Sequence, residues 1–204
     1  MIFYDSEKAA PNPRRVRIFA AEKGMELPRQ EVALFRGEHR GDAYRAVNPL
    51  GQTPALKLDD GTVITESVAI CRYLEALHPD PPLFGEGAAG TALVEMWTRR
   101  VELLLGWPAR MVWVHTHPLT APLVPHQYTE FGESNRPLYA QGLALCDAAL
   151  AETPFIAGER FGMADIVLLT TIDFGVFIGL SLPEEMAYLN DWHRRVSARS
   201  SASA

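Results

Sequence analysis

Cysteine is scarce in this chain: Cys71 and Cys146 are the only two, far apart in 204 residues and without a neighbouring cysteine–histidine spacing. Neither a disulfide framework nor a zinc site follows from that pattern, and no metal is expected. Long apolar runs are missing too. The greasiest stretch, Ile166–Leu182, is interrupted by Asp173, Gly175 and Gly179. It falls short of the roughly 20 residues that span a bilayer, so a buried core helix is expected there. The opening MIFYDSEKAA is too brief an apolar run for a signal peptide. Positive charge is in deficit, with 19 Lys and Arg against 25 Asp and Glu and a net charge of −6. General affinity for nucleic-acid phosphate or anionic lipid is therefore not expected, and a soluble cytoplasmic protein is expected.

What remains is an ordinary globular composition, 48% apolar and 22% charged, which argues against disorder, collagen and coiled coil. At roughly 150 residues per domain, the length suits one to two domains. A chain of this size buries about 70% of its unfolded surface and needs no covalent staple.

The two halves carry different periods. Ile2-Phe3-Tyr4 starts a strand, and Asn12-Pro13 is expected to open a helix, Asn as N-cap and Pro in the first helical position, with Gly24 stopping it. Glu31–Leu34 reads as a second strand. Ala55–Leu58 and Thr62–Thr65 flank Asp60-Gly61, a two-residue hairpin signal. Ser67–Leu77 then reads as a helix. This order implies a small sheet with one parallel pair and an antiparallel hairpin. The Pro- and Gly-rich segment 79–90 reads as a linker. Beyond it only helical patterns remain, near Thr91–His115, Gln127–Ala151, Ala164–Gly179 and Pro183–Val196. The expectation is an α/β domain over residues 1–78 and an all-helical domain over 91–204.

Asn48-Pro49-Leu50-Gly51-Gln52-Thr53-Pro54-Ala55-Leu56, followed by Glu66-Ser67-Val68-Ala69-Ile70, resembles the signature of the cytosolic glutathione transferases. Phe155–Glu159 with Met163-Ala164-Asp165 is similar to that family's marker in its helical domain. The resemblance runs from Met1 to about Arg195. It implies a thioredoxin-like domain followed by a helical bundle. It also implies an enzyme that binds glutathione as co-substrate, with no tightly held cofactor, and a homodimer. The reaction implied is transfer of the thiolate to a small hydrophobic electrophile, or reduction of peroxide or disulfide.

Within that resemblance the residues divide by the part of glutathione each can meet. Glu66 and Ser67, at a strand-to-helix junction, suit the ammonium and carboxylate of the amino-acid end, although Ser67 is equally an N-cap and Glu66 a favourable first-turn charge. Thr53-Pro54 resembles the family's cis-proline turn, whose backbone pairs with the cysteinyl segment, but also serves as an ordinary turn. His39, Arg40 and Gln52 are candidates for the glycine carboxylate. Arg14, Arg15 and Arg17 read either as exposed arginines paired with nearby acids or as signs of a neighbouring anion.

The position of the hydroxyl that many members direct at the thiol falls at Ala10, which has no donor. The chain therefore resembles bacterial and fungal members lacking the usual N-terminal tyrosine, serine or cysteine. Ser6, Asn12, a helix N-terminus, ordered water or His115 are the remaining candidates for the thiolate. Arg110, Trp113 and His115 are candidates for the electrophile pocket, against a plain reading as packed aromatics and capping groups at a helix end. Gly162 stands where a Ser or Thr cap is usual, which leaves Asp165 a structural role. The rival reading is a non-catalytic glutathione- or ligand-binding module. A protein-borne dithiol mechanism is not expected, since no cysteine lies near Ala10–Asn12.

Overall fold

A computed structural model describes residues 1–204. The chain divides into two compact units, one of residues 1–83 with 200–204 and one of residues 84–199.

The first unit is built on a four-stranded sheet in the order β2-β1-β3-β4, with β1 Ile2–Asp5, β2 Arg29–Glu31, β3 Ala55–Lys57 and β4 Val63–Thr65. β1 and β2 run parallel; β3 is antiparallel to both β1 and β4. Helices α1 (Pro11–Glu22) and α3 (Ser67–Leu77) supply the long apolar faces, and α2 is a single turn, Asp42–Arg45. Val16, Ile18 and Phe19 of α1 and Ile70, Cys71 and Leu74 of α3 are buried with Phe3 and Leu56 of the sheet.

Three local readings are corrected. Helix α1 begins at Pro11 with Ala10 in the cap position, so Asn12 is the second helical residue and its side chain is exposed. Pro11, pre-set in φ, takes the first helical position instead of Pro13. The second strand is the polar Arg29–Glu31 rather than Glu31–Leu34, because Leu34 already starts a 3-10 turn; Val32 N–H extends the ladder by one bond to Asp5 O. The hairpin loop holds three residues, not two: Leu58 N–H bonds Thr62 O across Asp59, Asp60 and Gly61, and Gly61 has φ +89°. A left-handed glycine closing the loop is what a three-residue turn requires.

The second unit is helical. α4 (Gly87–Val101), a π-turn over Glu102–Gly106 and α5 (Trp107–Thr116) follow without a break, and α4 begins inside the stretch expected as linker. The region read as one helix over Gln127–Ala151 is two, α6 (Thr129–Ser134) and α7 (Arg136–Leu150). Pro137 sits at the start of α7, where the missing N–H costs nothing. α8 (Met163–Phe177) is the central helix, with residues from Met163 through Ile172 all buried, and α9 (Ala187–Ser197) completes the bundle. No helix is long and apolar enough to cross a membrane.

Asp165 explains how α8 starts with glycine as its cap. Its carboxylate accepts from Gly162 N–H at 3.0 Å, from Ile156 N–H at 3.0 Å and from Trp192 Nε1 at 2.8 Å. Burial dominates its ionisation and pushes the carboxyl up to about 6 despite these donors. Cys71 and Cys146 are both buried free thiols whose ionisation is opposed by burial, consistent with packing roles.

Candidate active site

Sheet register gathers the first unit's candidates at one edge. Tyr4 pairs with Ala55 and Ala55 with Thr65, so three segments emerge side by side: Ser6 after β1, Thr53-Pro54 before β3 and Glu66-Ser67 after β4. Thr53 Oγ1 meets Ser6 Oγ at 3.1 Å. The Thr53–Pro54 peptide bond is cis. Tyr44 Oη and Asn48 Nδ2 both donate to Gln52 O, at 2.7 and 2.6 Å, holding the turn from behind. Gln52 keeps an exposed side chain.

Glu66 has φ +65°, and no other non-glycine residue has a positive φ. Such strain, worth about 1–3 kcal/mol, gathers where surrounding structure imposes a functional geometry. Its carboxylate is exposed, while Ser67 directly after it is 4% exposed and begins α3. The α3 N-terminus carries no side-chain cap, so its first amides are unspent by the helix itself.

The arginines of α1 are not exposed surface charges. Arg15 and Arg17 are 6% and 5% exposed. Arg15 Nη1 donates to Ser67 Oγ at 3.3 Å. Arg17 donates to Asp5 Oδ1 at 2.6 Å, Ser6 O at 3.3 Å and Lys8 O at 2.8 Å, clamping the β1–α1 loop. Arg14 turns the other way, donating to Ala202 O at 3.0 Å. The partner of Arg17 is thus a protein carboxylate buried with it, a pairing in which loss of either charge is costly.

The α1 N-terminus is chemically sparse. Pro11 and Pro13 have no N–H, and Ala10 N–H is spent on Glu7 O. Asn12 therefore contributes the only backbone donor among the first three helical residues, and the positive end of the helix is focused there.

On the opposite flank, His39 and Arg40 lie in a 3-10 turn over Glu38–Arg40. Gly51 has φ +60°, and a Cβ there would stand 2.7 Å from His39 O, so glycine lets the His39 turn close against the segment leading to Gln52. His39 titrates below its ordinary value, through burial first and the nearby Arg40 next.

In the second unit, Trp113 on α5 contacts His117 at 4.4 Å between ring centroids and lies edge-on to Phe174 of α8 at 5.7 Å. His115, half-buried on another face of α5, packs against Tyr128 and Phe131, and Tyr128 N–H approaches its Nδ1 at 3.4 Å. Arg110 is exposed. Trp113 and His115 thus belong to two separate aromatic groups.

Residues 9–77 match the family described as glutathione S-transferase, N-terminal domain, and residues 112–200 the glutathione S-transferase C-terminal domain. Glutathione S-transferase 2 of Saccharomyces cerevisiae is 37% identical over 204 residues, covering 98% of this chain and 87% of the relative.

The chain belongs to the glutathione S-transferase family.

Among solved structures, that of Gtt2 from Saccharomyces cerevisiae superimposes with a TM-score of 0.93 at 36% identity, covering 98% of each chain. A class Gtt2 glutathione S-transferase of Vibrio parahaemolyticus gives 0.85 at 32% identity, covering 98% of this chain and 94% of that one. The thioredoxin-like first domain and helical second domain are the glutathione S-transferase fold, and the enzyme uses glutathione as co-substrate.

For this transferase, sequence reasoning left Arg15 and Arg17 open between exposed charges paired with acids and neighbours of an anion, and it missed their burial and the Asp5 partner of Arg17. The available signal was a run of cations in the first turns of a helix, where they are disfavoured unless something local compensates.

Proposed function

We propose that this transferase holds glutathione along the loop edge of its first unit and transfers the thiolate to a small hydrophobic electrophile. Glu66 accepts from the ligand's ammonium, and Ser67 with the first amides of α3 takes the adjoining carboxylate. The backbone of Thr53, ahead of Pro54, pairs with the cysteinyl segment. His39, Arg40 and Gln52 receive the glycine carboxylate. The observation that carries this reading is the register Tyr4–Ala55–Thr65, which brings Ser6, Thr53-Pro54 and Glu66-Ser67 to one edge.

A free thiol titrates near 8.5, and lowering that by about two units stabilises the thiolate by about 2.7 kcal/mol. With alanine at position 10, this falls to the α1 N-terminus through the Asn12 N–H and to Ser6, whose hydroxyl keeps a proton to donate while accepting from Thr53. His115 assists as a base through water. Trp113 and Arg110 shape the electrophile site, with the aromatic group of Trp113, Phe174 and Phe177 offering flat apolar surface. The protein works in the cytoplasm as a homodimer.

Ultraviolet difference titration of bound glutathione tests the proposal. A thiolate midpoint well below about 8.5 is expected. Binding with an unshifted midpoint instead supports the non-catalytic module, and failure to bind rejects the assigned residues.

A further inference from the structure

Phe3 is buried with α1 and α3, so Tyr4, the next residue of β1, points to the other face of the sheet. There it joins a small apolar group with Val32, Tyr44 and Ala55, against which Val47 packs. A cavity of about 390 Å³ opens beside this group, between β2 and the segment that carries α2. That volume falls among small-molecule sites, which run from about 300 to 1,000 Å³. None of the residues assigned above to glutathione lines it.

The walls and the rim of this cavity differ in character. Tyr4 and Tyr44 supply aromatic wall, their ring centroids 5.8 Å apart and the planes tilted by 59°. Tyr44 Oη already donates its proton to Gln52 O. The Tyr4 hydroxyl has no such partner. Tyr4 is only 7% exposed, it makes no hydrogen bond within the chain through its side chain, and its oxygen is not sealed in the core. The hydroxyl therefore opens onto the cavity that Tyr4 lines. Three exposed carboxylates stand around it, Glu31 of β2, Glu38, and Asp42 at the start of α2, while no Lys, Arg or His contributes to the lining. Glu38 spends one oxygen on Ala33 N–H at 2.9 Å, and Glu31 and Asp42 form no ion pair.

We propose that this cavity binds a small organic ammonium ion with an apolar body. Tyrosine ring faces attract a cation through their quadrupole, and the carboxylates at the rim neutralise its charge. Val32 and Val47 receive the apolar part. The free Tyr4 oxygen accepts from an ammonium N–H, which selects a protonated primary or secondary amine over a quaternary one. A hard divalent ion is a poor match, since calcium takes about six to eight oxygen ligands and much of this lining is aromatic or aliphatic. No covalent bond changes, and the proposal stands independently of the glutathione assignment.

The test is titration of the isotope-labelled full chain with phenethylammonium near neutral pH, followed by backbone-amide NMR. Saturable shifts centred on Val32, Gly41 and Tyr44 are expected, with Kd weakening about threefold or more between about 20 and 200 mM salt. Neutral phenethyl alcohol should bind about tenfold more weakly, and phenethyltrimethylammonium about threefold more weakly. Glu31→Gln combined with Asp42→Asn should weaken binding of the amine about tenfold and leave that of the alcohol unchanged. Tyr4→Phe should erase the preference for the amine over its trimethylated analogue; the comparison of the three ligands in the wild type decides the matter if that variant does not fold. Equal binding of alcohol and amine overturns the proposal in favour of a plain apolar groove. Shifts of the same amides with magnesium or calcium chloride alone overturn it in favour of an inorganic cation. Absence of saturable shifts with the amine, or shifts there only with a lysine-rich peptide, likewise overturns it.

Discussion

Ser67 and Glu66 adjoin in sequence but carry opposite burdens. Ser67 is buried, with Arg15 donating to its oxygen, so its own proton is available to an anion. Ser67→Ala should weaken glutathione binding about tenfold, matching a charged hydrogen bond of about 1.5–3 kcal/mol, as measured by calorimetry. Glu66 holds a positive φ that glycine adopts freely. Glu66→Gly should raise the melting temperature while weakening glutathione affinity; a variant that gains stability and keeps its affinity would remove Glu66 from the site. At Asn12 the backbone is the donor of interest. Asn12→Ala, which retains the N–H, should leave the bound thiol's midpoint within a few tenths of a unit, and Asn12→Pro should raise it toward about 8.5. Ser67, Glu66 and the Thr53-Pro54 turn were legible in the sequence because they sit in contiguous motifs. Arg15 and Arg17 were legible only as an open choice between surface charges and neighbours of an anion, and Asp5 not at all, because their partners depend on the direction in which side chains leave α1, and an arginine's sequence position does not reveal its burial.

At the scale of elements, legibility followed the strength of the local pattern. α3 matched its expected span, Ser67–Leu77, because a β-hairpin ends just before it and an apolar stripe runs its length. The second strand shifted to polar residues, since pairing with β1 decided its place against its own weak strand propensity. The π-turn at Glu102–Gly106 left no sequence signal, because it rests on tertiary packing. Gly142 of α7 faces it: a Cβ there would come within 2.6 Å of Leu104 O and 2.8 Å of Leu105 Cδ1. Gly142→Ala should therefore destabilise the helical unit by about 1–3 kcal/mol, seen as a lower melting temperature. Asp165 adds a pH-dependent contribution at the junction of α8 and α9. Its folded value of about 6 exceeds the ordinary 3.8, so the folded state binds this proton more tightly. The resulting stability is full below about 3.8 and is lost as pH rises through about 6. The melting-temperature difference between wild type and Asp165→Asn should accordingly shrink as pH is raised from 4 to 7 in thermal scans.

At the scale of the molecule, the change from mixed α/β to all-helical patterning was readable, because the hydrophobic period itself changes near Pro79–Gly90. The placement of residues 200–204 was not. This short polar tail has no periodicity, yet it joins the first unit through Arg14 to Ala202 O, Arg17 Nε to Ala204 O at 3.2 Å, and the Ser201–Glu22 hydrogen bond. The helical unit also exposes large apolar side chains on α4 and the turn after it, Leu93 at 45% and Leu103 at 55% among them. A homodimer is expected to cover part of such surface, and light scattering coupled to size exclusion should give twice the chain mass.

The returning tail also sets an order of events during synthesis. The first unit is discontinuous in sequence, with the whole of residues 84–199 emerging between its two pieces. A ribosome delivers the chain from the N-terminus onward, and domains generally fold as they become available. The sheet and its helices can collapse early, but the arginines of α1 receive these carbonyl partners only after the whole of residues 84–199 has been made. Chains halted before Ser200 should therefore carry a first unit more open to protease than chains that include residues 200–204, even though nearly all of that unit was made first.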